Sequence, residues 1–133
     1  AASPLDEVRP VTDTQTIREI ISAVLGVHVA TAIHEYVLDI VGATRSHENI
    51  RLGASPRAAL HLVRASRARA AMNGRDYVIP DDVQALAAPI LAHRLVFSGR
   101  SGIASHESAR AAESVIGSIL RQVPLPERAH QDR

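Results

Sequence analysis

The sequence contains no cysteine and no lysine, and only 2% of its residues are aromatic. Without cysteine, disulfides, thiolate chemistry and cysteine-based zinc sites are excluded. All 15 basic residues are arginine, so the chain lacks the lysine that a P-loop needs to bind phosphates. Lysine-dependent base and Schiff-base chemistry is excluded for the same reason.

The balance of charge and the lengths of the apolar runs exclude further classes of protein. A formal charge of +1 and so few aromatic rings argue against a general nucleic-acid-binding surface. No apolar run approaches the roughly 20 residues of a membrane span, and no signal peptide opens the sequence. We therefore expect a cytoplasmic protein that contacts neither nucleic acid nor membrane.

Five apolar stripes at helical spacing run along the chain. In the stripes apolar residues recur at i, i+3, i+4 and i+7, which is typical of amphipathic helices, and in the third stripe Ser66 takes the i+7 position. The stripes occupy residues 17–25, 33–41, 59–70, 83–91 and 112–120. No segment alternates cleanly with period two. The sequence therefore predicts an all-α fold, a compact helical bundle of about five helices.

These stripes lead to several local predictions. We expect the first stripe to face the core, and Thr12 and Gln15 have the spacing of a capping box before it. Tyr36 and Tyr77 are expected to pack in the core with their hydroxyls at its edge. Residues 43–54 and 98–105 are polar or glycine-containing, which predicts loops.

Arg57 follows a helix-start signal and lies where a cation is disfavoured. Ser55 is a favoured N-cap and Pro56 a favoured first helical residue. A cation in the next position opposes the helix dipole by roughly 0.3–1 kcal/mol. On a helical wheel, Arg57, His61 and Arg64 lie opposite the core stripe. A phosphate bound at this helix N-terminus would make the position of the arginine energetically favourable. The alternative is a solvated arginine paired with a surface carboxylate.

Four segments together carry a resemblance to a known family. They are LGASPRA from residue 52, GRDYVIPDDV from residue 74, PLDEVRPV at 4–11 and ESVIGSILRQVPLP at 113–126. In this combination they resemble the C-terminal lid domain of MoxR-type AAA+ ATPases. The resemblance implies a linker over 1–11 from an ATPase core that this sequence does not contain. It also implies a lid over 12–123 and a C-terminal tail over 124–133.

The resemblance assigns a role to Arg57. It implies that Arg57 is the sensor-2 arginine, which reaches the γ-phosphate of ATP bound in the core, stabilises the transition state and reports nucleotide state. Ser55 and Pro56 would lie beside the nucleotide. His61 is a further candidate for this position because it shares the Arg57 face, with a solvated histidine as the alternative. ATP and Mg²⁺ would be bound mainly by the core, so we expect none tightly bound here and no ATPase activity from this chain alone, although the parent protein would hydrolyse ATP.

The family also implies partners, and one residue departs from its pattern. The implied partners are the protein's own core, neighbouring subunits of a chaperone-like hexameric ring and a von Willebrand factor A-domain protein. Ile79 stands where the family usually has a capping threonine, so we expect the turn after it to depend on Asp81, Asp82 or water.

Two other interpretations remain open at this stage. The chain could be a free-standing helical interaction module, since its IPDDV segment is also similar to histone folds, although such a protein should be lysine-rich and strongly basic. Seven histidines raise the question of a metal site. No H-E-x-x-H motif occurs, so we expect structural histidines and no metal.

Overall fold

The computed structural model describes residues 7–98 and 106–126 of the chain. Its elements, in chain order, are α1 (Thr14–Leu25), α2 (Thr31–Ser46), β1 (Ile50–Leu52), α3 (Pro56–Met72), α4 (Pro80–Leu91), a 3₁₀ turn (Ala92–Arg94), β2 (Val96–Phe97) and α5 (His106–Gln122). Five helices confirm the predicted helical bundle. The loop predicted over 98–105 lies, apart from Ser98, outside the described residues.

The helices α2 to α5 enclose one hydrophobic core, as their stripes predicted. α3 packs against α4 and α2, and α5 packs against α4 and α2. The largest fully buried apolar side chains come from all four helices: Tyr36, Ile40, Leu62, Leu91, Ile116 and Ile119. Apolar surface removed from water in this way is the main force that holds such a bundle together.

The prediction that the apolar stripe of α1 lies in the core is wrong. No residue of this helix is buried. Its exposed apolar face consists of large aliphatic side chains that are 43% to 61% exposed: Ile17, Ile20, Ile21 and Leu25. Helical periodicity identifies an amphipathic helix, but it does not say what covers the apolar face.

The N-terminus of α1 also differs from its prediction. Asp13, not Thr12, is the N-cap, and its carboxylate accepts a hydrogen bond from the backbone N–H of Thr16 at 2.7 Å. This bond lowers the pKa of Asp13. The predicted capping box does not form, because the Gln15 side chain donates to Glu19 instead.

Two short strands occupy regions in which the sequence predicted no sheet. Residues 43–46 complete α2, and β1 follows within the interval predicted as loop. β1 pairs antiparallel with β2, placing Ile50 opposite Phe97. Strands of two and three residues are too short to show a period-two pattern, so alternation could not predict them.

Of the two tyrosines, only one lies in the core as predicted. Tyr36 is buried, and its hydroxyl accepts a hydrogen bond from the Gln84 side chain at 3.0 Å. Tyr77 is 51% exposed, so its prediction is wrong. It lies in an extended segment that forms a parallel bridge with His28, and the main chain, not its ring, makes that contact.

The connection from α3 to α4 is organised by one buried carboxylate. Gly74 has a φ of 70°, the left-handed conformation that ends α3. Asp82 is 1% exposed and accepts two hydrogen bonds from the Arg75 guanidinium, both at 2.7 Å. It also accepts from the backbone N–H of Ile79, the N-cap residue, at 3.0 Å, so the first turn of α4 depends on Asp82 as predicted, through the bond that the third helical residue makes in a capping box.

The buried position of Asp82 is more than the favourable dipole contact predicted for the first turn of α4. Burial raises the pKa of this carboxyl, but the hydrogen bonds from Arg75 and Ile79 and the charges of Arg75 and Arg69 outweigh it. The net effect lowers the pKa of Asp82. Asp82 therefore stays ionised and joins the end of α3 to the start of α4.

Candidate functional site

The candidate site is the start of α3, where the structure places Arg57 as the sequence predicted. Ser55 is the N-cap in an extended conformation, and the helix begins at Pro56. The Ser55 hydroxyl makes no capping hydrogen bond, so that part of the prediction is wrong. The Ser55 carbonyl instead accepts from the backbone N–H of Ala58 at 2.9 Å.

The backbone at this helix end leaves a donor exposed. Pro56 has no N–H, and within the described residues nothing accepts from the N–H of Arg57. A free N–H at a helix N-terminus carries partial positive charge and suits an anion.

The Arg57 side chain is exposed and has no partner in the described part of the chain. The ion pairs among residues 7–98 and 106–126 both involve Asp82, with Arg69 and Arg75 as the cations. The surface carboxylate that would have explained Arg57 as an ordinary solvated residue is therefore not found among these residues. As far as the described residues go, the guanidinium is available to a ligand.

The helical wheel of α3 is confirmed on both sides. Its buried residues are Ala58, Ala59, Leu62, Ser66 and Ala70. Arg57 and Arg64 are exposed, and His61 is half-buried. The structure therefore brings Ser55, Pro56 and Arg57 together at the helix start and places His61 one turn further on.

The loop that leads into α3 is fixed to the last turn of α2, which the sequence did not reveal. Thr44 is fully buried, and its Oγ1 donates to the Val41 carbonyl at 2.6 Å. The same Oγ1 accepts from the backbone N–H of Ala54 at 2.9 Å. The Nε of Arg45 donates to the Ala54 carbonyl at 3.0 Å. Both backbone groups of Ala54 are thus bound by side chains of α2.

Gly53 allows the loop to approach α2 this closely. A Cβ at this position would lie 2.7 Å from Cγ and 2.8 Å from Cα and N of Arg45. Two of these three atoms belong to the backbone, which cannot move aside without disturbing α2. Glycine is therefore required by packing here, not by an unusual backbone angle.

The described residues provide neither a metal site nor a membrane-spanning helix. Among residues 7–98 and 106–126, no group of three or more histidine, aspartate or glutamate side chains could hold a metal ion. No helix in the same ranges is long and apolar enough to cross a membrane.

The comparison with protein families identifies the domain. Residues 42–116, more than half of the chain, match the AAA lid domain family. This interval contains the end of α2, the anchored loop and the whole of α3. The chain belongs to the AAA lid domain family. An AAA lid domain associates with an AAA core, the part of AAA+ proteins that binds ATP.

Relatives of this lid domain confirm the MoxR type. MoxR of Paracoccus denitrificans is 35% identical over 116 residues, which cover 76% of this chain and 33% of that protein. Chaperone MoxR1 of Mycobacterium tuberculosis is 39% identical over 105 residues, covering 72% of this chain and 27% of the relative. YeaC of Bacillus subtilis, an uncharacterised protein, is 35% identical over 92% of this chain and 37% of its own length.

A solved structure shares the fold of this lid domain. It is a provisionally assigned ATPase of Cytophaga hutchinsonii. Compared with this chain, it has a TM-score of 0.76 and 28% sequence identity. The match covers 91% of this chain and 38% of that one. The lid domain thus spans roughly a third of the length of the proteins it resembles, and none of these comparisons supports the histone-fold alternative.

Proposed function

We propose that this lid domain closes over ATP bound in the AAA core of the same protein and brings Arg57 to the γ-phosphate. The observation that carries the proposal is the free guanidinium at the start of α3, which has no partner among the described residues. An unpaired cation beside a positive helix end is unfavourable unless an anion joins it.

The energies favour a phosphate at this position. Arg57 loses roughly 0.3–1 kcal/mol against the helix dipole. A hydrogen bond to a charged group contributes about 1.5–3 kcal/mol. A phosphate that accepts from the guanidinium and from the free backbone N–H of Arg57 would therefore reverse the sign of the interaction.

The chemistry that Arg57 performs is electrostatic. Phosphoryl transfer spreads negative charge over the γ-phosphate oxygens, and a positioned arginine stabilises that charge in the transition state. Ser55 has a hydroxyl that does not cap the helix, and His61 lies on the Arg57 side of α3, so both are proposed to lie beside the nucleotide with Pro56. Binding of ATP and Mg²⁺ falls mainly to the core, and this chain alone does not turn over ATP.

At the level of the whole protein, nucleotide state is coupled to ring conformation in this proposal. Arg57 links the lid to bound ATP, and the lid in turn contacts neighbouring subunits of a hexameric ring. The proposed activity is chaperone-like, with a von Willebrand factor A-domain protein as partner. It is supported by the relatives, one of which is named a chaperone. The linker over 1–11 and the tail over 124–133 stay predictions.

The test is Arg57→Ala in the protein that joins this lid to its AAA core. Loss of a transition-state contact should lower kcat for ATP by about 10- to 1,000-fold, a cautious range below the effect of an in-trans arginine finger. Arg64→Ala is the matched control, because Arg64 is also exposed on α3 but lies two turns from the helix start.

Both variants should keep the circular dichroism spectrum and unfolding midpoint of the parent, since neither side chain is buried. Wild-type kcat and nucleotide affinity in the Arg57→Ala protein would refute the proposed role. Unfolding of the variant would instead show that Arg57 is structural.

A further inference from the structure

We infer that Thr44 is a positioning residue for Arg57: its hydroxyl fixes the loop before α3 and so sets where the guanidinium meets the phosphate. The inference rests on the proposed function of Arg57. Thr44 does not touch the proposed nucleotide position itself, so any effect on turnover must pass through the loop.

The path from Thr44 to Arg57 is short and stiff. Thr44 Oγ1 holds the Ala54 N–H at 2.9 Å, and only two residues separate Ala54 from Arg57. One of them is Pro56, whose ring fixes φ. The other, Ser55, is extended with φ −80° and ψ 162°. A displacement of the Ala54 amide would therefore be transmitted to the first turn of α3.

A second contact acts on the same residue from the same helix. Arg45 Nε donates to the Ala54 carbonyl at 3.0 Å, so α2 binds both backbone polar groups of Ala54, one in each of two successive peptide units. Surface loops are usually the mobile parts of a domain. In this loop the N–H and the carbonyl of Ala54 are both hydrogen-bonded to α2, which is the arrangement expected where a side chain must be placed accurately. A misplacement of about 1 Å can cost about 100-fold in rate.

Four variants separate this role from general stability. Thr44→Val keeps the shape of the side chain but leaves the Ala54 N–H without its acceptor, whereas Thr44→Ser keeps the hydroxyl. Ser66→Ala is the matched control, because Ser66 is also fully buried and its hydroxyl donates only to Leu62, within α3, at 2.8 Å. Arg45→Met removes the second contact from an exposed side chain, so it does not endanger the fold.

The first measurement is amide hydrogen exchange on the chain itself. Thr44→Val should accelerate exchange at Ala54 by at least tenfold relative to buried amides of α4, while Thr44→Ser and Ser66→Ala should not. If the exchange rate of the Ala54 amide changes only as much as the rates of the α4 amides in every variant, the inference is overturned, because the Thr44 hydroxyl would then not be holding the loop.

The second measurement is a double-mutant cycle in the protein that carries the AAA core. Thr44→Val should lower kcat for ATP by about 10- to 100-fold, Thr44→Ser should restore it to within a few-fold, and Ser66→Ala should leave it unchanged. In the Arg57→Ala background, Thr44→Val should have no further effect, because the group it positions is gone.

The outcomes distinguish the two claims. If Arg57→Ala lowers kcat and Thr44→Val lowers it by the same factor in both backgrounds, Thr44 acts on general stability and the inference is overturned. The inference is also overturned if Thr44→Val leaves kcat unchanged. If Arg57→Ala itself has no effect, the proposed function fails and this inference fails with it. Should Thr44→Val not fold, Arg45→Met answers the same question with the same expected pattern.

Discussion

Replacing Asp82 with alanine should destabilise the lid domain by about 2–4 kcal/mol, far more than its place in the first turn of a helix would suggest. The carboxylate accepts two hydrogen bonds from Arg75 and one from the Ile79 N–H, at 2.7, 2.7 and 3.0 Å. Each hydrogen bond to a charged group contributes about 1.5–3 kcal/mol.

The three contributions do not simply add. Desolvation of the carboxylate opposes them, and breaking a fully buried ion pair costs about 3–5 kcal/mol. The Arg75 side chain is 22% exposed, so water can recover part of its hydrogen bonding after the change. These considerations place the expected cost at about 2–4 kcal/mol for Asp82→Ala.

Asp81→Ala is the matched control. Asp81 lies in the same first turn of α4 and carries the same charge, but it is exposed and has no hydrogen-bond partner among the described residues. Its replacement should cost only the dipole interaction, about 0.3–1 kcal/mol.

Urea unfolding followed by circular dichroism compares the two variants. With a slope of about 2 kcal/mol per molar urea, Asp82→Ala should lower the midpoint by about 1–2 M, and Asp81→Ala by less than about 0.5 M. A midpoint for Asp82→Ala no lower than that of Asp81→Ala would refute the assignment of Asp82 as the link between α3 and α4.

The pH dependence provides a second test of the same ion pair. Because the folded-state pKa of Asp82 is lowered, its contribution is present above the unfolded-state value of about 3.9 and is lost as the pH falls through the folded-state pKa. The stability difference between the parent and Asp82→Ala should therefore be constant from about pH 5 to 8 and shrink below about pH 4. A difference that grows on acidification would contradict this sign.

Two further changes test the packing. Leu62→Ala removes a fully buried side chain and should cost about 2–5 kcal/mol in urea unfolding; a shift too small to measure would place Leu62 outside the core. Gly53→Ala should lower the thermal midpoint, because its Cβ would meet the Arg45 backbone at 2.8 Å. Gly42→Ala is the control, because Gly42 lies in α2 and an added Cβ would meet nothing within 4 Å; it should raise stability by about 0.5–1 kcal/mol. Equal thermal midpoints for Gly53→Ala and Gly42→Ala would count against the close approach of Gly53 to Arg45.

The predictions that held rest on local patterns. The stripes of α2 to α5 were predictable because a helix that faces a core repeats its apolar residues every three or four positions. The start of α3 was predictable from the Ser-Pro pair, and the position of Arg57 follows from it. Ile79 in place of a capping residue predicted that the turn depends on the neighbouring aspartates, and Asp82 does accept from the Ile79 N–H.

The features that the sequence missed or predicted wrongly depend on contacts between distant parts of the chain. Thr44 and Arg45 bind Ala54 from ten and nine residues away, respectively, and no periodicity in the sequence indicates such a pair. Tyr77 carries an aromatic ring, yet its segment pairs with His28 through the backbone and leaves the ring exposed. In each case the residue type was visible, but its partner was decided by the tertiary fold.

The exposed apolar face of α1 divides the domain into two tiers of local stability. Helices of about 12 residues are marginal in water by themselves, and α1 has 12 residues with none buried. Within the described residues, its amides are protected by the Asp13 cap, its own hydrogen bonds and its contact with α3, whereas amides in α2 to α5 are expected to open with the core. We therefore expect α1 to unfold locally at a lower free energy than the core of α2 to α5, while the Arg57 loop stays in place.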